Sequence, residues 1–104
     1  MSKKTKLDTR QLRAIGHKLK PVVTIAGNGL SDGVVSEIDR ALTDHELIKI
    51  KLAVGDKAAR MAVAEELCAR ADAELIQSIG NILLVLRRTS EPDPRKSNPV
   101  SYTH

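Results

Sequence analysis

The sequence is 104 residues long with 41% hydrophobic residues, which allows one small domain with a single core. One cysteine, Cys68, and the absence of a His/Cys cluster exclude an internal disulfide framework and argue against a structural zinc site. No apolar run reaches the roughly 18 residues that span a bilayer, and MSKKTKLDTRQ has no signal-peptide core, so we expect a cytoplasmic protein without a membrane segment.

The net charge of +4 is concentrated at the two ends of the chain. Residues 1–20 carry a net charge of +6 and residues 87–104 carry +2, whereas residues 21–86 carry −4. This segregation is typical of a protein that binds a polyanion, usually nucleic acid, although charged tails also serve solubility. Phe and Trp are absent and Tyr102 is the one tyrosine, so bases cannot stack on an aromatic platform. If the protein binds RNA, it must use backbone, charge and shape.

The first predicted element is an amphipathic basic helix over residues 9–19. Leu12, Ile15 and Leu19 recur at helical spacing and predict its buried face. Basic side chains lie on or beside the other face and at the exit of the helix: Arg10, Arg13, Lys18 and Lys20. Pro21 ends the helix, and PVVTI predicts a first strand because it is rich in β-branched residues.

The stretch IAGNGLSDG, residues 25–33, joins this strand to a second predicted helix that reaches His45. Ser31 is the expected N-cap, and the apolar stripe of the helix consists of Val34, Ile38, Ala41 and Leu42. The glycine spacing is one residue longer than the Gly-x-Gly-x-x-Gly dinucleotide fingerprint, and no Gly-Lys-Ser/Thr follows. A nucleotide-binding loop is therefore not expected.

Residues 47–54 predict a second strand, in which alternating Ile48, Ile50 and Leu52 form a buried face and Lys49 and Lys51 lie on the other. A third helix is expected over residues 56–73. Its predicted apolar stripe consists of Met61, Ala64, Leu67, Cys68 and Ala71.

Residues 74–79 and 82–87 predict two final strands around a tight turn at Gly80 and Asn81. The last strand is apolar on both faces, which favours an interior position in the sheet. The order αβαβαββ predicts an α/β fold with three helices and a four-stranded mixed sheet, its first three strands parallel and the fourth antiparallel. We expect a basic N-terminal segment (residues 1–8), a folded domain (residues 9–88) and a disordered polar tail (residues 89–104).

The residues that could support catalysis have ordinary structural explanations. Ser31 is an adequate helix cap, and no Gly-x-Ser-x-Gly elbow surrounds it. His17 and His45 flank helix ends, where histidines are commonly caps or surface side chains. We therefore expect neither an enzyme nor a bound metal or cofactor.

The stretch LRAIGHKLKPVVTIAGNGLSDGVVSEIDRALTDHELIKIKL resembles the CRM (chloroplast RNA splicing and ribosome maturation) domain in its single-domain bacterial form, the YhbY family. The resemblance covers about residues 12–87 and includes LR…HKLKPVV, the NGL loop before a helix, HELIK at the second strand, and Arg87 closing the last strand. It implies an α/β fold similar to the C-terminal domain of bacterial translation initiation factor three, with RNA as the ligand. Bacterial members are associated with precursors of the large ribosomal subunit, which implies a role in its assembly.

In this family the loop after the first strand is a Gly-x-x-Gly element, likened to the loop with which KH domains clamp a nucleic-acid backbone. Here the element reads Ala26-Gly27-Asn28-Gly29, with alanine at the first glycine position. If that position required a positive φ, alanine would cost roughly 1 kcal/mol there.

We expect an RNA-binding surface, with ribosomal RNA and large-subunit precursor particles as partners, in which phosphate contacts supply affinity and close backbone approach selects shape. Its predicted residues are Arg10, Arg13, Lys18, Lys20, Gly27, Asn28, Gly29, Lys49, Lys51 and Arg87. The alternative is a protein-interaction module that docks on a ribosomal protein or assembly factor, with charge serving only solubility. Salt separates the two, because phosphate binding weakens steeply with added salt and a largely apolar interface does not.

Overall fold

The computed structural model describes residues 8–26, 29–53 and 55–88. The helices are α1 (Thr9–Gly16), α2 (Asp32–His45) and α3 (Lys57–Ala71). The strands are β1 (Pro21–Ile25), β2 (Leu47–Leu52), β3 (Glu74–Ile79) and β4 (Ile82–Leu86). This is the predicted order αβαβαββ. The tail over residues 89–104, and all but Asp8 of the predicted N-terminal segment, lie outside the described residues.

The strands form one mixed sheet in the order β1-β2-β4-β3. β1 pairs parallel with β2, and β4 pairs antiparallel with both β2 and β3. The first three strands therefore run in the same direction and β4 runs against them from an interior position, which confirms the prediction. Residues 80 and 81 make the tight turn, since Ile79 pairs with Ile82 on either side of it.

One face of the sheet is covered by α2 and α3, and the main core lies between these helices and the sheet. The alternating residues of β2 point into it, as predicted from their spacing. Its buried residues are Val23, Ile25, Ile38, Leu42, Ile48, Ile50, Leu52, Ala64, Leu67, Ala71, Leu83 and Val85. Cys68 is half-buried and packs against this core.

The opposite face carries α1 and a second, smaller core. Its buried members are Leu12, Ile15, Leu47, Ile76, Leu84 and Leu86, with Leu19 packed against them. Gly16 lets the helix approach the sheet closely, because a Cβ at that position would lie 2.7 Å from Cδ2 of Leu84. We call the face that α1 covers the α1 face, and the face that α2 and α3 cover the closed face.

Helix starts follow the capping chemistry of the sequence. Ser31 Oγ accepts from the Val34 amide at 3.1 Å, which confirms the predicted N-cap of α2. Asp56 accepts from the Ala59 amide at 2.8 Å and caps α3. Asp8 forms a capping box with Gln11 at the start of α1, a feature that the sequence analysis did not anticipate.

Several details differ from the predictions. α3 spans Lys57–Ala71 and not residues 56–73, and β4 ends at Leu86 and not at residue 87. α1 ends at Gly16 and not at residue 19, because the amides of Lys18 and Leu19 turn back to the carbonyls of Ile15 and Gly16 at 2.9 and 3.0 Å. β2 ends at Leu52 and not at residue 54, because Leu52 is the last residue that pairs with β1. Met61 does not belong to the buried stripe of α3, since its side chain is 38% exposed.

Met61 stays exposed because α3 faces Ser78 and Gly80 there, two small residues that leave a cavity beside it. The described part of the chain contains no helix long and apolar enough to cross a membrane.

Candidate nucleic-acid interface

The glycine-containing loop follows β1 as a tight turn. The Gly29 amide donates to the carbonyl of Ala26 at 2.9 Å, which closes the turn. The predicted site residues Gly27 and Asn28 lie outside the described part of the chain. Gly29 has a φ of +82°, in the region that favours glycine. Ala26 is not among the non-glycine residues with positive φ. The last position of the element therefore requires glycine, and alanine at the first position carries no backbone penalty.

Among the described residues nothing lies within 4 Å of where a Gly29 Cβ would be, so this backbone is open on that side. The turn also sits among two other loops. The Ala53 amide donates to the carbonyl of Ile25, and the Leu52 amide to the carbonyl of Asn81, each at 2.7 Å. The turn over residues 26–29, the loop after β2 and the β3–β4 turn thus meet at one end of the sheet, which we call the loop end.

The two lysines of β2 lie on the α1 face. Lys49 is the register partner of Pro21 and Lys51 that of Thr24. Lys51 is exposed and Lys49 half-buried. Because Lys20 directly precedes Pro21, the lysines follow β1 from its start to the glycine turn at its end. At about 3.3 Å per residue, the strand gives this path a length of roughly 17 Å.

We call Lys20, Lys49, Lys51 and the turn over residues 26–29 the basic track. Arg10 and Arg13 are exposed on α1, on the same side of the sheet, and Lys18 is exposed just beyond that helix. The structure therefore brings most of the predicted basic residues to one side of the molecule.

Arg87 is different from the other predicted residues. Its side chain is only 20% exposed, and its guanidinium is bonded to other residues of the same domain. Nη1 donates to Asp39 Oδ1 at 2.7 Å and to the Ala71 carbonyl at 2.9 Å. Nη2 donates to the Asp39 carbonyl and to Thr43 Oγ1, both at 2.9 Å. Arg87 thus ties the end of β4 to α2 and α3, and these bonds occupy it within the protein.

A row of side chains beside the basic track was not recognised in the sequence. Thr24 neighbours Lys51, Lys51 pairs with Ile82, and Ile82 pairs with Ile79. Partners in register share a face, so these residues cross the α1 face from one edge to the other. α1 leaves this end of the face uncovered, since Ile79 is 59% exposed there. Val22, nearer the start of β1, is 53% exposed.

The described residues offer little to catalytic or metal chemistry. Within them, no group of three or more His, Cys, Asp or Glu side chains could hold a metal ion. Burial raises the pKa of the Cys68 thiol, which disfavours the reactive thiolate. His17 caps α1 and His45 is the last residue of α2, as their positions beside helix ends predicted.

Comparison with known proteins adds three findings. The family model described as the CRS1 / YhbY (CRM) domain matches residues 5–87. A Pseudomonas aeruginosa protein named "probable RNA-binding protein" is 48% identical over 90% of this chain and 90% of its own length. A Haemophilus influenzae protein named "RNA-binding protein" is 40% identical over 88% of this chain and 99% of its own length.

A similar fold is also found in a solved structure. The solution structure of a Staphylococcus aureus protein has a TM-score of 0.73, with 28% sequence identity, and the match covers 82% of this chain and 88% of that one. The α/β architecture described above is therefore shared with a protein of known structure.

Proposed function

This chain belongs to the CRS1 / YhbY (CRM) domain family, and we propose that it binds RNA along the basic track. We further propose that its target is ribosomal RNA in precursors of the large ribosomal subunit, in the cytoplasm, where it assists assembly. The names of the Pseudomonas and Haemophilus relatives support RNA as the ligand. The ribosomal target rests on the family resemblance.

The observation that carries the RNA proposal is the alignment of lysines with the glycine turn. Lys49 and Lys51 lie on the α1 face, Lys20 is exposed at the start of β1, and the strand leads from there to the backbone at Gly29. Lysine ammonium groups bind phosphate as point charges and do not read base edges. The lack of a side chain at Gly29 allows a sugar–phosphate backbone to approach main-chain amides, which donate to phosphate oxygens.

This surface binds by charge and shape rather than by base identity. The chain has neither Phe nor Trp, so base stacking on large aromatic rings is excluded as its source of specificity. Three lysine–phosphate contacts on a single strand give a salt slope, d log K/d log[salt], of about −2. The proposed binding is therefore strongly salt-dependent and tolerant of sequence.

Arg87 is not assigned a phosphate in this proposal, because four hydrogen bonds already hold its guanidinium. We assign it the role of fixing β4, whose partner strand β2 carries Lys49 and Lys51. Arg10, Arg13 and Lys18 add positive charge at the start of the track and raise the rate of encounter with RNA.

Charge reversal at the two ends of the track tests the proposal. Lys20→Glu and Lys51→Glu are each expected to weaken binding to a ribosomal RNA fragment about tenfold, with a shallower salt slope. Arg40→Glu is the matched control, since Arg40 is exposed on α2 and lies on the closed-face side. Equal affinities of all three variants across a salt titration would exclude this surface.

The ribosomal target needs a separate experiment. Crosslinking in growing cells, followed by sequencing of the bound RNA, is expected to place most sites in the precursor of large-subunit ribosomal RNA. Sites spread over messenger RNA in proportion to its abundance would contradict the ribosomal assignment and leave RNA binding intact.

A protein-docking function is the second candidate, because apolar side chains are exposed on the α1 face. Ile79 at the loop end of β3 and Val22 near the start of β1, on the opposite edge of the sheet, are large apolar residues open to solvent. A partner protein bound there, such as a ribosomal protein or an assembly factor, would be released by Ile79→Asp and would respond little to salt. RNA binding that survives Ile79→Asp but not Lys51→Glu favours the first candidate.

A further inference from the structure

A basic cavity lies at the loop end, on the opposite side of the sheet from the lysine track. It has a volume of about 310 Å³ and is open to solvent. Its lining residues come from the first turns of α3 and from the end of β3 with the adjoining turn: Lys57, Arg60, Met61, Ser78 and Gly80. The size falls at the lower end of the range typical of small-molecule and nucleotide pockets.

The lining chemistry favours an anion. Two cationic side chains and one hydroxyl favour phosphate, and none of the described lining residues is acidic. Arg60 Nη1 donates to the carbonyl of Gly55 at 3.0 Å, which fixes the guanidinium at the rim and leaves its other N–H groups for a ligand. Asp56, the nearest carboxylate along the chain, is occupied as the cap of α3. The charge of the cavity therefore comes from side chains and not from the helix end.

Met61 gives the cavity an apolar wall. Its thioether side chain is 38% exposed, because the small residues Ser78 and Gly80 opposite it leave the cavity open. A flexible, polarisable side chain of this kind fits against a ribose or a base without a fixed geometry. Phosphate, hydroxyl and apolar contacts together match one nucleotide better than they match inorganic phosphate.

The cavity and the glycine turn lie at the same end of the sheet but at opposite edges. The turn follows β1 and the cavity adjoins β3, the two edge strands. Neighbouring strands are about 4.8 Å apart, so three spacings place the two sites roughly 14 Å from each other. The end of β2, between them, is tied to both edges by the bonds of Leu52 and Ala53.

We propose that the cavity holds a further nucleotide of the same RNA strand that the basic track binds, after the strand has crossed the loop end. Lys57 and Arg60 contact its phosphate, Ser78 donates to a phosphate or ribose oxygen, and Met61 packs against the sugar or base. This inference rests on the proposed RNA-binding function and extends it by assigning a second contact surface on α3.

The test compares Lys57→Gln with Arg40→Gln, which removes the same charge from an exposed position on α2. The probes are single-stranded uridine oligomers of about four and about ten nucleotides, because four is the number that a KH-type clamp holds. For the longer oligomer, Lys57→Gln is expected to reduce affinity about fivefold and to make the salt slope shallower by about 0.7, the contribution of one phosphate contact. For the shorter oligomer both variants are expected to match the wild type.

A second measurement locates the ligand. In amide NMR spectra, the ten-nucleotide RNA should shift residues 58–61 and 78–81, and the four-nucleotide RNA should shift residues near Gly29 but not these. Uridine monophosphate alone should perturb the cavity only at concentrations well above those of the oligomer.

The outcomes separate the two proposals. RNA binding by the wild type with equal effects of Lys57→Gln and Arg40→Gln, or cavity shifts produced equally well by uridine monophosphate, would overturn the cavity assignment alone. Failure of the wild type to bind either oligomer would overturn the proposed function and this inference together.

Discussion

One face of the sheet is covered by α2 and α3, whereas the other is covered at one end by α1 and open at the loop end. The closed face buries Ile48, Ile50 and Leu52 of β2, and the α1 face exposes or half-exposes Lys49 and Lys51 of the same strand. A single strand thus contributes its even-numbered residues to stability and its odd-numbered lysines to the candidate interface. The comparison shows that this small domain has its main core on one face and, on the other, a smaller core under α1 beside an uncovered stretch that carries the lysines.

The largest expected effect is a difference in stability between substitutions at two adjacent residues of β2 that lie on opposite faces of the sheet. Ile50 is fully buried on the closed face, so Ile50→Ala is expected to lower the free energy of unfolding by about 2–5 kcal/mol. Lys51 is exposed on the α1 face, so Lys51→Ala should change it by no more than about 0.5 kcal/mol. Urea unfolding measures both, and similar losses for the two variants would contradict the division of faces.

Substitution of Arg87 tests whether this basic residue stabilises the fold and makes no contact with RNA. Arg87→Gln removes the Asp39 ion pair and leaves the carbonyl of Ala71 without its donor, so it should cost about 1–3 kcal/mol of stability. At a temperature where the variant is fully folded, its affinity for RNA should equal that of the wild type. A variant of unchanged stability that binds RNA poorly would return Arg87 to the interface.

Two substitutions at Gly29 distinguish the backbone cost of the turn from its role in RNA binding. Gly29→Ala places a side chain at a φ of +82° and should cost about 1 kcal/mol, whereas Gly29→Asn should cost less because asparagine tolerates this region better. Both variants put atoms where the structure has none within 4 Å, so both should weaken RNA binding severalfold. If Gly29→Asn binds RNA as well as the wild type, the turn serves the fold alone.

The smallest expected effect concerns Cys68, on the closed face. Burial raises the pKa of its thiol, so at pH 8 the folded protein holds less thiolate than the unfolded chain. Alkylation by iodoacetamide should be slower in buffer than in guanidinium chloride, and should not change when RNA is added. Protection of Cys68 by the four-nucleotide RNA, which is too short to reach the cavity at α3, would place the ligand of the basic track on the wrong face.

Local patterns predicted most of the fold. The order of the elements, the bounds of β1 and β3, the Ser31 cap and the interior position of β4 follow from β-branched runs, capping chemistry and an apolar strand. These signals are contained in short stretches, so they can be read without knowledge of the packing. The end of α1 was missed, because the apolar spacing continues to Leu19 whereas the amides of Lys18 and Leu19 bond to carbonyls three residues back and leave the α-helical pattern.

The candidate site was less predictable because it depends on strand register. The sequence identified Lys49 and Lys51 as an exposed pair, but only the pairing of β2 with β1 and β4 places Lys51 beside Thr24 and Ile82. Arg87 was grouped with the basic surface, because its partner Asp39 is 48 residues away in the chain. Lys57 and Arg60 were not assigned a role, since the cavity beside them requires Ser78 and Gly80 of the β3–β4 hairpin.

The most direct test of the account is the salt dependence of RNA binding when the track is neutralised. In the triple variant Lys20→Gln, Lys49→Gln and Lys51→Gln, the salt slope for the ten-nucleotide uridine RNA should become shallower by about 2, because three phosphate contacts are lost. Arg40→Gln should keep the wild-type slope. A triple variant with the wild-type slope and affinity would contradict the claim that these lysines form the RNA-binding track.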